Sequence, residues 1–305
     1  MDWVPEHLSV LLNEVVDLMN VRPRGLYVDA TFGRGGHSRA ILRRLDSQGR
    51  LIVIDRDPQA IEPARILAEE DSRVTVAHQR FSKLADVLGD DESAIDGVLF
   101  DLGVSTPQLD ESDRGFSFQN DGPLDMRMDP TEPVSAGDWL MSASKKEISD
   151  VLWHYGDERR SRQIAHKIVE SRRVQALKST FELAQLVRSC MRGPRSRIDP
   201  ATRTFQAIRI HINDELGEVE RALLAASSLL AIGGRILVIA FHSIEDRLVK
   251  RFFREIDTGS KNEAPSEGKA LFRVLTKKPC MASDLERKLN PRARSARLRA
   301  LERYA

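Results

Sequence analysis

Short apolar runs alternate with longer amphipathic ones over the first hundred residues. Residues 25–30, 51–55, 74–77 and 95–101 read as strands, two of them nearly continuous in Val, Ile and Leu, the composition of strands buried on both faces. Helical stretches at 38–45 and around Pro58–Glu70 separate them, with Pro58 in a first turn where proline is tolerated. Strands alternating with helices predict a parallel α/β sheet. The alternation stops after residue 101. Residues 104–132, rich in Asp, Pro, Gly and Ser, read as a long loop, and helical periodicity follows from Ser135 to Met191, with candidates at 144–155, 159–173 and 180–191. A long helix is expected from Arg203 to about Leu230, ended by Gly233-Gly234. Strand character resumes at Arg235–Ala240, and Leu271–Leu275 with Ala296–Leu301 predict a terminal strand pair. The expected organisation is therefore an α/β domain of residues 1–105 and 206–305, interrupted by a helical insertion at 106–205. Residues 257–269 read as a loop.

The first strand runs into the segment Asp29-Ala-Thr-Phe-Gly-Arg-Gly-Gly-His37, and an acid, Asp55, ends the second strand. A glycine turn between strand and helix, with an acid about twenty residues on, suits a nucleoside cofactor whose ribose diol the carboxylate accepts. A nicotinamide site prefers Gly-x-Gly-x-x-Gly. Gly33 and Gly35 fit, but Ser38 stands at the third position. The Gly36-His37 pair and the acid Asp29 at the strand end point instead to S-adenosylmethionine (SAM), which has no pyrophosphate to cradle. Ligands of open α/β sheets sit beyond the carboxyl ends of the strands. Asp29, Asp55, Asp101 and His242-Ser243 all fall there, and together they predict one wall of a ligand cleft. Phe81, after the third strand, is a core aromatic or a flank for an adenine.

Charge changes the picture next. The net charge is only +1, but residues 1–142 carry 14 basic and 26 acidic side chains, whereas residues 143–209 carry 15 and 7 and residues 273–305 carry 10 and 3. Two basic segments in a near-neutral chain are what a polyanion binder shows. The acids Asp121, Asp125 and Asp129 lack the ligand pattern of a calcium loop, so Asx turns and a pairing with Arg127 are expected there, and no metal. No run of about 18 apolar residues occurs, so no membrane span is expected. The start of the chain lacks a basic stretch followed by an apolar core, and two cysteines make no disulfide framework, so a cytoplasmic setting is expected. Cys190 falls in the insertion and Cys280 near the tail. Neither follows the fourth strand, which disfavours attack on a pyrimidine C5, a reaction that needs a thiolate on C6.

Several segments taken in order resemble the bacterial MraW/RsmH family of 16S rRNA methyltransferases, over nearly the whole chain. They are His7 with Val10-Leu11-Leu12, Asp29–Ser38, Asp55-Arg56-Asp57-Pro58, Asp101–Asp110, Arg114–Phe118, Gly122–Pro130, Ala201–Ala207, Phe241–Arg247 and Asn290–Ser295. Thr106 and Ile244 depart from it, where Ser and Leu are expected, and the loop at 257–269 is short for the family. The resemblance implies a class I SAM-dependent methyltransferase fold (Rossmann-like, mostly parallel sheet) with an inserted, basic helical domain that recognises substrate. It implies N4-methylation of a cytidine in the decoding centre, the P-site region, of the small ribosomal subunit. It also implies SAM contacts from Gly35, Gly36, His37, Asp55, Phe81, Asp101 and Gln108. Asp101 and the loop after it are expected at the junction of methyl donor and base, with Ser105, His242 and Ser243 as candidate polar partners. Two other functions remain open: a non-catalytic ribosome-assembly factor that binds SAM or RNA, and a nicotinamide-dependent oxidoreductase. Oligomeric state is open as well, a homodimer being compatible with the chain.

Overall fold

The structure, a computed structural model, describes residues 9–89, 94–191, 199–257 and 271–305. The chain forms two compact units, one of residues 1–103 and 216–305, the other of residues 104–215. The second unit thus runs ten residues further along the chain than the pattern predicted.

In the first unit the elements run α1 (Leu12–Met19), β1 (Leu26–Asp29), α2 (Gly36–Leu42), β2 (Arg50–Asp55), α3 (Pro58–Glu70), β3 (Val74–His78), α4 (Leu84–Leu88) and β4 (Ile95–Asp101). The second unit contributes α5 (Thr106–Asp110), α6 (Ala136–Ser142), α7 (Lys145–Gly156), α8 (Ser161–Val174), α9 (Thr180–Ser189) and α10 (Ala201–Ile212). The chain then continues through α11 (Glu215–Leu229), β5 (Leu230–Ala240), α12 (Ser243–Ile256), β6 (Phe272–Val274), α13 (Asp284–Leu289) and β7 (Arg297–Arg303). The sheet order is β3-β2-β1-β4-β5-β7-β6. Strands β1 to β5 are parallel, and β7 runs antiparallel to β5 and to β6. This is the mostly parallel, Rossmann-like sheet that the alternation of strands and helices predicted.

Alternation along the strands explains the layers. Tyr27, Leu51, Val53, Leu99, Leu237 and Ile239 enter one core with α1 and α2, whereas Val28, Ile54, Val98, Phe100, Ile236 and Val238 enter the other with α11 and α12. Each fully buried Leu or Ile contributes about 1.5–3 kcal/mol relative to exposure. The register sets Asp29 beside Val53 and Leu99, and Asp101 beside Ile239, so that Asp29, Asp55 and Asp101 all stand at the carboxyl edge of the sheet.

Three expectations give way. The long helix after Arg203 is two helices. Asp214 adopts φ 48°, and the Asn213 side chain donates to the carbonyls of Met126 (2.7 Å) and Arg209 (2.9 Å) while accepting from the amide of Met128 (2.8 Å). Asn213 thereby ends α10 by bonding the carbonyl four residues back and tying the helix end to the 126–128 segment. Gly233-Gly234 lies inside β5 rather than ending a helix. The strand's register against β4 shifts there, Gly233 takes φ +77°, and Arg22 bridges Asp96 (2.8 Å) to the Ile232 carbonyl (3.2 Å). Residues 104–132 are also more ordered than a loop. Ser105 and Gln108 form a capping box that starts α5, and the Arg114 guanidinium donates to the carbonyls of Arg127 (3.2 Å) and Met128 (2.9 Å).

The second unit has its own apolar core, including Leu140, Ile148, Leu152, Ile164, Ile168, Leu183, Val187 and Ile208. Ser135–Asp138, Ser144–Glu147 and Ser179–Glu182 form capping boxes at the starts of α6, α7 and α9. Asp125 accepts from the Arg127 amide (3.0 Å) and pairs with its guanidinium (2.6 Å), Asp129 accepts from the Thr131 amide (2.9 Å), and Asp121 accepts from the Phe181 amide (3.0 Å). The first two are the Asx turns and the ion pair that the spacing suggested, whereas Asp121 bonds the start of α9 sixty residues away. At the end of the first unit, β6 and β7 form the expected pair, and it is antiparallel. His7 and residues 258–269 of the short loop lie outside the described residues.

Candidate active site

The carboxyl edge of β1, β2 and β4 gathers three carboxylates around the glycine turn. Asp29 is buried, accepts from the Ser38 hydroxyl at 2.6 Å and from the Thr31 amide at 3.3 Å, and is pushed above the ordinary carboxylate range by burial against the counteracting charge of His37. Thr31 reaches across as well, its hydroxyl oxygen accepting from the Asp101 amide at 2.6 Å. The turn after β1 is thus stitched to the end of β4.

Asp55 holds the turn from the other side. One of its carboxylate oxygens accepts from the Gly33 amide and the other from the Asp57 amide, both at 2.9 Å. Burial pushes its pKa up to about 6, opposed by those two amides. Each oxygen retains an acceptor direction, which is what a vicinal diol requires. Among the glycines, Gly33 has φ +55°, and a Cβ there would meet nothing nearer than the Thr31 carbonyl at 3.9 Å, so it leaves open space beside Asp55. Gly35 and Gly36 are required for a different reason. A Cβ at Gly35 would fall 2.5 Å from the Phe32 ring, and one at Gly36 would collide with the Ser9 hydroxyl. These two glycines let protein pack on protein at the start of α2.

Asp101 is raised as well. Burial, with repulsion from Asp29 and Glu245, pushes it up to about 6, and His37 opposes the rise. Its Oδ2 lies 3.6 Å from His37 Nδ1, while its Oδ1 is buried with no hydrogen-bond partner. A buried acceptor left unpaired costs about 1–3 kcal/mol, so an unfilled acceptor at a strand end is a place prepared for a donor.

The remaining candidates divide. Phe81 is partly buried and packs edge-on against Phe100, with ring centroids 5.7 Å apart. His242 caps α12. Its Nδ1 accepts from the Glu245 amide (3.3 Å) and its Nε2 stands 2.9 Å from Glu245 Oε1, so both ring nitrogens face one residue. Glu245 Oε2 in turn accepts from the amides of Phe241 (2.9 Å) and His242 (3.3 Å). Ser243 is the exposed first residue of α12. Ser105 and Gln108 belong to the second unit, where each spends its side chain on the other's amide: Gln108 Oε1 accepts from Ser105 (2.9 Å) and the Ser105 hydroxyl from Gln108 (3.5 Å). Gly35, Gly36, His37, Asp55 and Asp101 therefore come together in the first unit. Thr31, Ser38 and Glu245 were missed. The three-residue spacing from His242 to Glu245 is that of a capping box and marks Glu245 in the sequence, whereas nothing in the sequence marks the hydroxyl of Thr31.

The basic segments are partly neutralised within the fold. Asp246 binds Arg299 (2.6 Å) and Arg297 (3.1 Å), and Glu302 binds Arg235 (2.8 Å) and Arg273 (2.6 Å). In the second unit Arg172 donates to the carbonyls of Leu140 and Ala143, and Arg188 pairs with Asp199 at 2.8 Å. Burial pushes both thiols, Cys190 and Cys280, above their ordinary range, so they stay protonated at neutral pH. Among the described residues no helix is long and apolar enough to cross a membrane.

Comparison with known proteins finds a match to the MraW methylase family over residues 5–304. Similar solved structures include a candidate rRNA-methylase from Clostridium thermocellum, 13% identical, covering 97% of this chain and 99% of that one, with TM-score 0.46. A candidate methyltransferase from Streptococcus mutans, solved in complex with SAH, is 12% identical over 97% of this chain and 99% of its own, with TM-score 0.46. An rRNA methylase from Streptococcus thermophilus is 10% identical over 100% and 99%, with TM-score 0.42.

Proposed function

The chain belongs to the MraW methylase family, and from that premise we propose that it methylates N4 of a cytidine in the decoding centre of 16S rRNA. Its methyl donor is SAM. The observation that carries the reading is the pair of acids at the ends of β2 and β4: Asp55 with two spare acceptor directions, and Asp101 with a buried oxygen that has no partner. These residues fit SAM: Asp55 would hold its ribose diol, and acceptors further along the edge would take its amine hydrogens. The family match leaves the nicotinamide reading without support.

Bound SAM supplies an electrophilic methyl group in a low-dielectric cleft. The protein's own contribution is placement. A cytosine N4 lone pair is delocalised into the ring, so the amine must be held in line with the methyl and its hydrogens accepted as the nitrogen pyramidalises. Asp101 is suited to that acceptance. Burial holds it at about 6, a stronger acceptor than an ordinary carboxylate and still mostly ionised at neutral pH. His242 serves as a cap through its Nδ1, which accepts from the Glu245 amide, while its buried Nε2 stands 2.9 Å from Glu245 Oε1 without a hydrogen bond. The target base must leave its stack, at a cost of a few kcal/mol. Basic side chains of the second unit and the tail offset that cost by contacts to phosphates. The protonated thiols argue for nitrogen over C5 chemistry, which needs a thiolate.

The test is transfer of tritiated methyl from SAM to small-subunit RNA, supplied free and as particle, with nuclease mapping and mass analysis of the labelled nucleoside. Label confined to N4-methylcytidine at one site is expected, and Asp101→Ala should reduce it at least a hundredfold. SAM binding without any transfer would overturn the proposal in favour of a non-catalytic assembly factor. Label at C5 or in another base would overturn the assigned chemistry.

A further inference from the structure

His37 has no ring nitrogen left for a bound molecule. Its Nε2 donates to the Val10 carbonyl at 3.0 Å, and its Nδ1 faces Asp101 Oδ2 at 3.6 Å. The side chain is 5% exposed. With one nitrogen committed to a carbonyl, a hydrogen on the other makes the ring a cation beside Asp101.

The ring is aimed by a strap that crosses the start of α2. Ser9 packs on Gly36 so closely that no Cβ fits there. Val10 supplies the carbonyl. Leu11 sits at φ 55°, a left-handed conformation that a leucine rarely adopts, and its amide donates to Glu286 Oε1 of α13 at 2.7 Å. A carboxylate 275 positions away in the sequence thus pins the strained residue next to the carbonyl that holds His37.

We propose that the His37 ring is a positioning group for Asp101 rather than a side-chain contact to the cofactor, and that Glu286, through the Ser9–Leu11 strap, sets that ring. The proposal rests on the reading of Asp101 as an acceptor in the cofactor cleft. The charged groups facing Asp101 are Asp29 from β1, Glu245 from α12 and His37 from α2. Two of the three repel it, so His37 alone favours the carboxylate. Without His37 the carboxylate loses the one of these charges that favours it, and less of it is ionised at neutral pH.

The experiment is calorimetric titration of the full chain with S-adenosylhomocysteine from pH 5 to 8, with circular dichroism and melting curves to establish folding of each variant. Wild type should lose affinity as pH falls through about 6, where both Asp55 and Asp101 titrate, and Asp101→Asn should remove the Asp101 share of that limb. His37→Gln keeps a donor for Val10 and removes the cation. It should move the limb up by about one pH unit, the lower end of what an opposite charge within 4–6 Å does to a carboxyl. Glu286→Ala should move it the same way by a smaller amount, and Glu286→Gln, which retains an acceptor for Leu11, should restore it. A folded His37→Gln protein with an unmoved limb and affinity lowered equally at every pH would overturn the proposal and make His37 a direct contact. A limb that Asp101→Asn leaves intact would instead overturn the reading of Asp101 itself.

Discussion

Asp55→Asn separates what the acid at the end of β2 does for the fold from what it does for the ligand. In the wild type the carboxylate accepts two amides, Gly33 and Asp57, each at 2.9 Å, yet burial holds its pKa at about 6 against an ordinary 3.8. At about 1.36 kcal/mol per unit, keeping this group ionised above pH 6 costs the folded state about 3 kcal/mol, taken as an upper bound. Asparagine removes that cost. It can accept only one of the two amides, and the unsatisfied amide costs about 1–3 kcal/mol. The two effects nearly cancel, so at pH 7 the ligand-free variant should unfold within about 2 kcal/mol of wild type. The sign of the pH dependence follows from the direction of the shift. A folded-state pKa raised above the unfolded value gives stability that is present below pH 4 and lost as pH rises to 6. Wild type should therefore lose about 2–3 kcal/mol relative to Asp55→Asn between pH 4 and pH 7, read from urea unfolding at both pH values. Ligand binding should move far more than stability. One of two charge-assisted acceptances of the ribose diol is lost, which weakens S-adenosylhomocysteine about ten- to a hundredfold by calorimetry. Binding within threefold of wild type, or a stability difference indifferent to pH, would refute the reasoning.

Three further outcomes test other parts of the structure. Transfer to RNA should fall about fortyfold between 50 and 200 mM salt if about three phosphates are engaged, measured as initial rate at subsaturating RNA, and a salt-independent rate would remove phosphate contacts from the account. The double variant Cys190→Ala, Cys280→Ala should keep transfer within about twofold, since both thiols are protonated and neither lies at the carboxyl edge of the sheet; loss of activity in a folded protein would revive a covalent route. Asn213→Ala removes three hydrogen bonds and leaves the amide of Met128 unpaired, and should destabilise the protein by about 3–5 kcal/mol in denaturant unfolding, whereas a loss under 1 kcal/mol would show that the chain break at Asp214 holds without it.

The strands that carry the site were legible because their side chains alternate between two cores and their ends carry acids. Asp29, Asp55 and Asp101 could be placed on one edge from periodicity alone, and the glycine turn between the first strand and α2 could be placed beside them. What the turn's glycines are for could not. Gly35 and Gly36 look like room for a ligand, but the space is filled by Phe32 and Ser9, which only the folded chain brings there. The same limit explains the other differences. Asn213 breaks a helix by bonding carbonyls of the 126–128 segment, and Arg22 keeps Gly233-Gly234 inside β5 from more than two hundred residues away. Both are decided by partners that no local window contains. The basic segments were over-read for a related reason. Composition counts Arg297, Arg299 and Arg172, whereas the fold spends them on Asp246 and on the carbonyls of Leu140 and Ala143.

Holding two carboxyls near pKa 6 at the ends of β2 and β4, either side of β1, links the cofactor to protons. At pH 6 Asp55 and Asp101 are each about half protonated in the free protein. A ligand that donates hydrogen bonds to both, and in SAM also brings a positive sulfonium, favours their ionised forms and lowers both pKa values. Binding must then expel what they hold, up to about one proton at pH 6, falling towards zero by pH 8. Titrations of SAM in buffers of different ionisation enthalpy measure that number directly. S-adenosylhomocysteine lacks the sulfonium charge, so it should release fewer protons than SAM at the same pH. Asp55→Asn should remove about half of the release, and the remainder should follow Asp101. Proton uptake at pH 6, or a release that neither Asp55→Asn nor Asp101→Asn reduces, would mean that the ligand does not reach these acids, and the cleft would have to be sought elsewhere on the sheet.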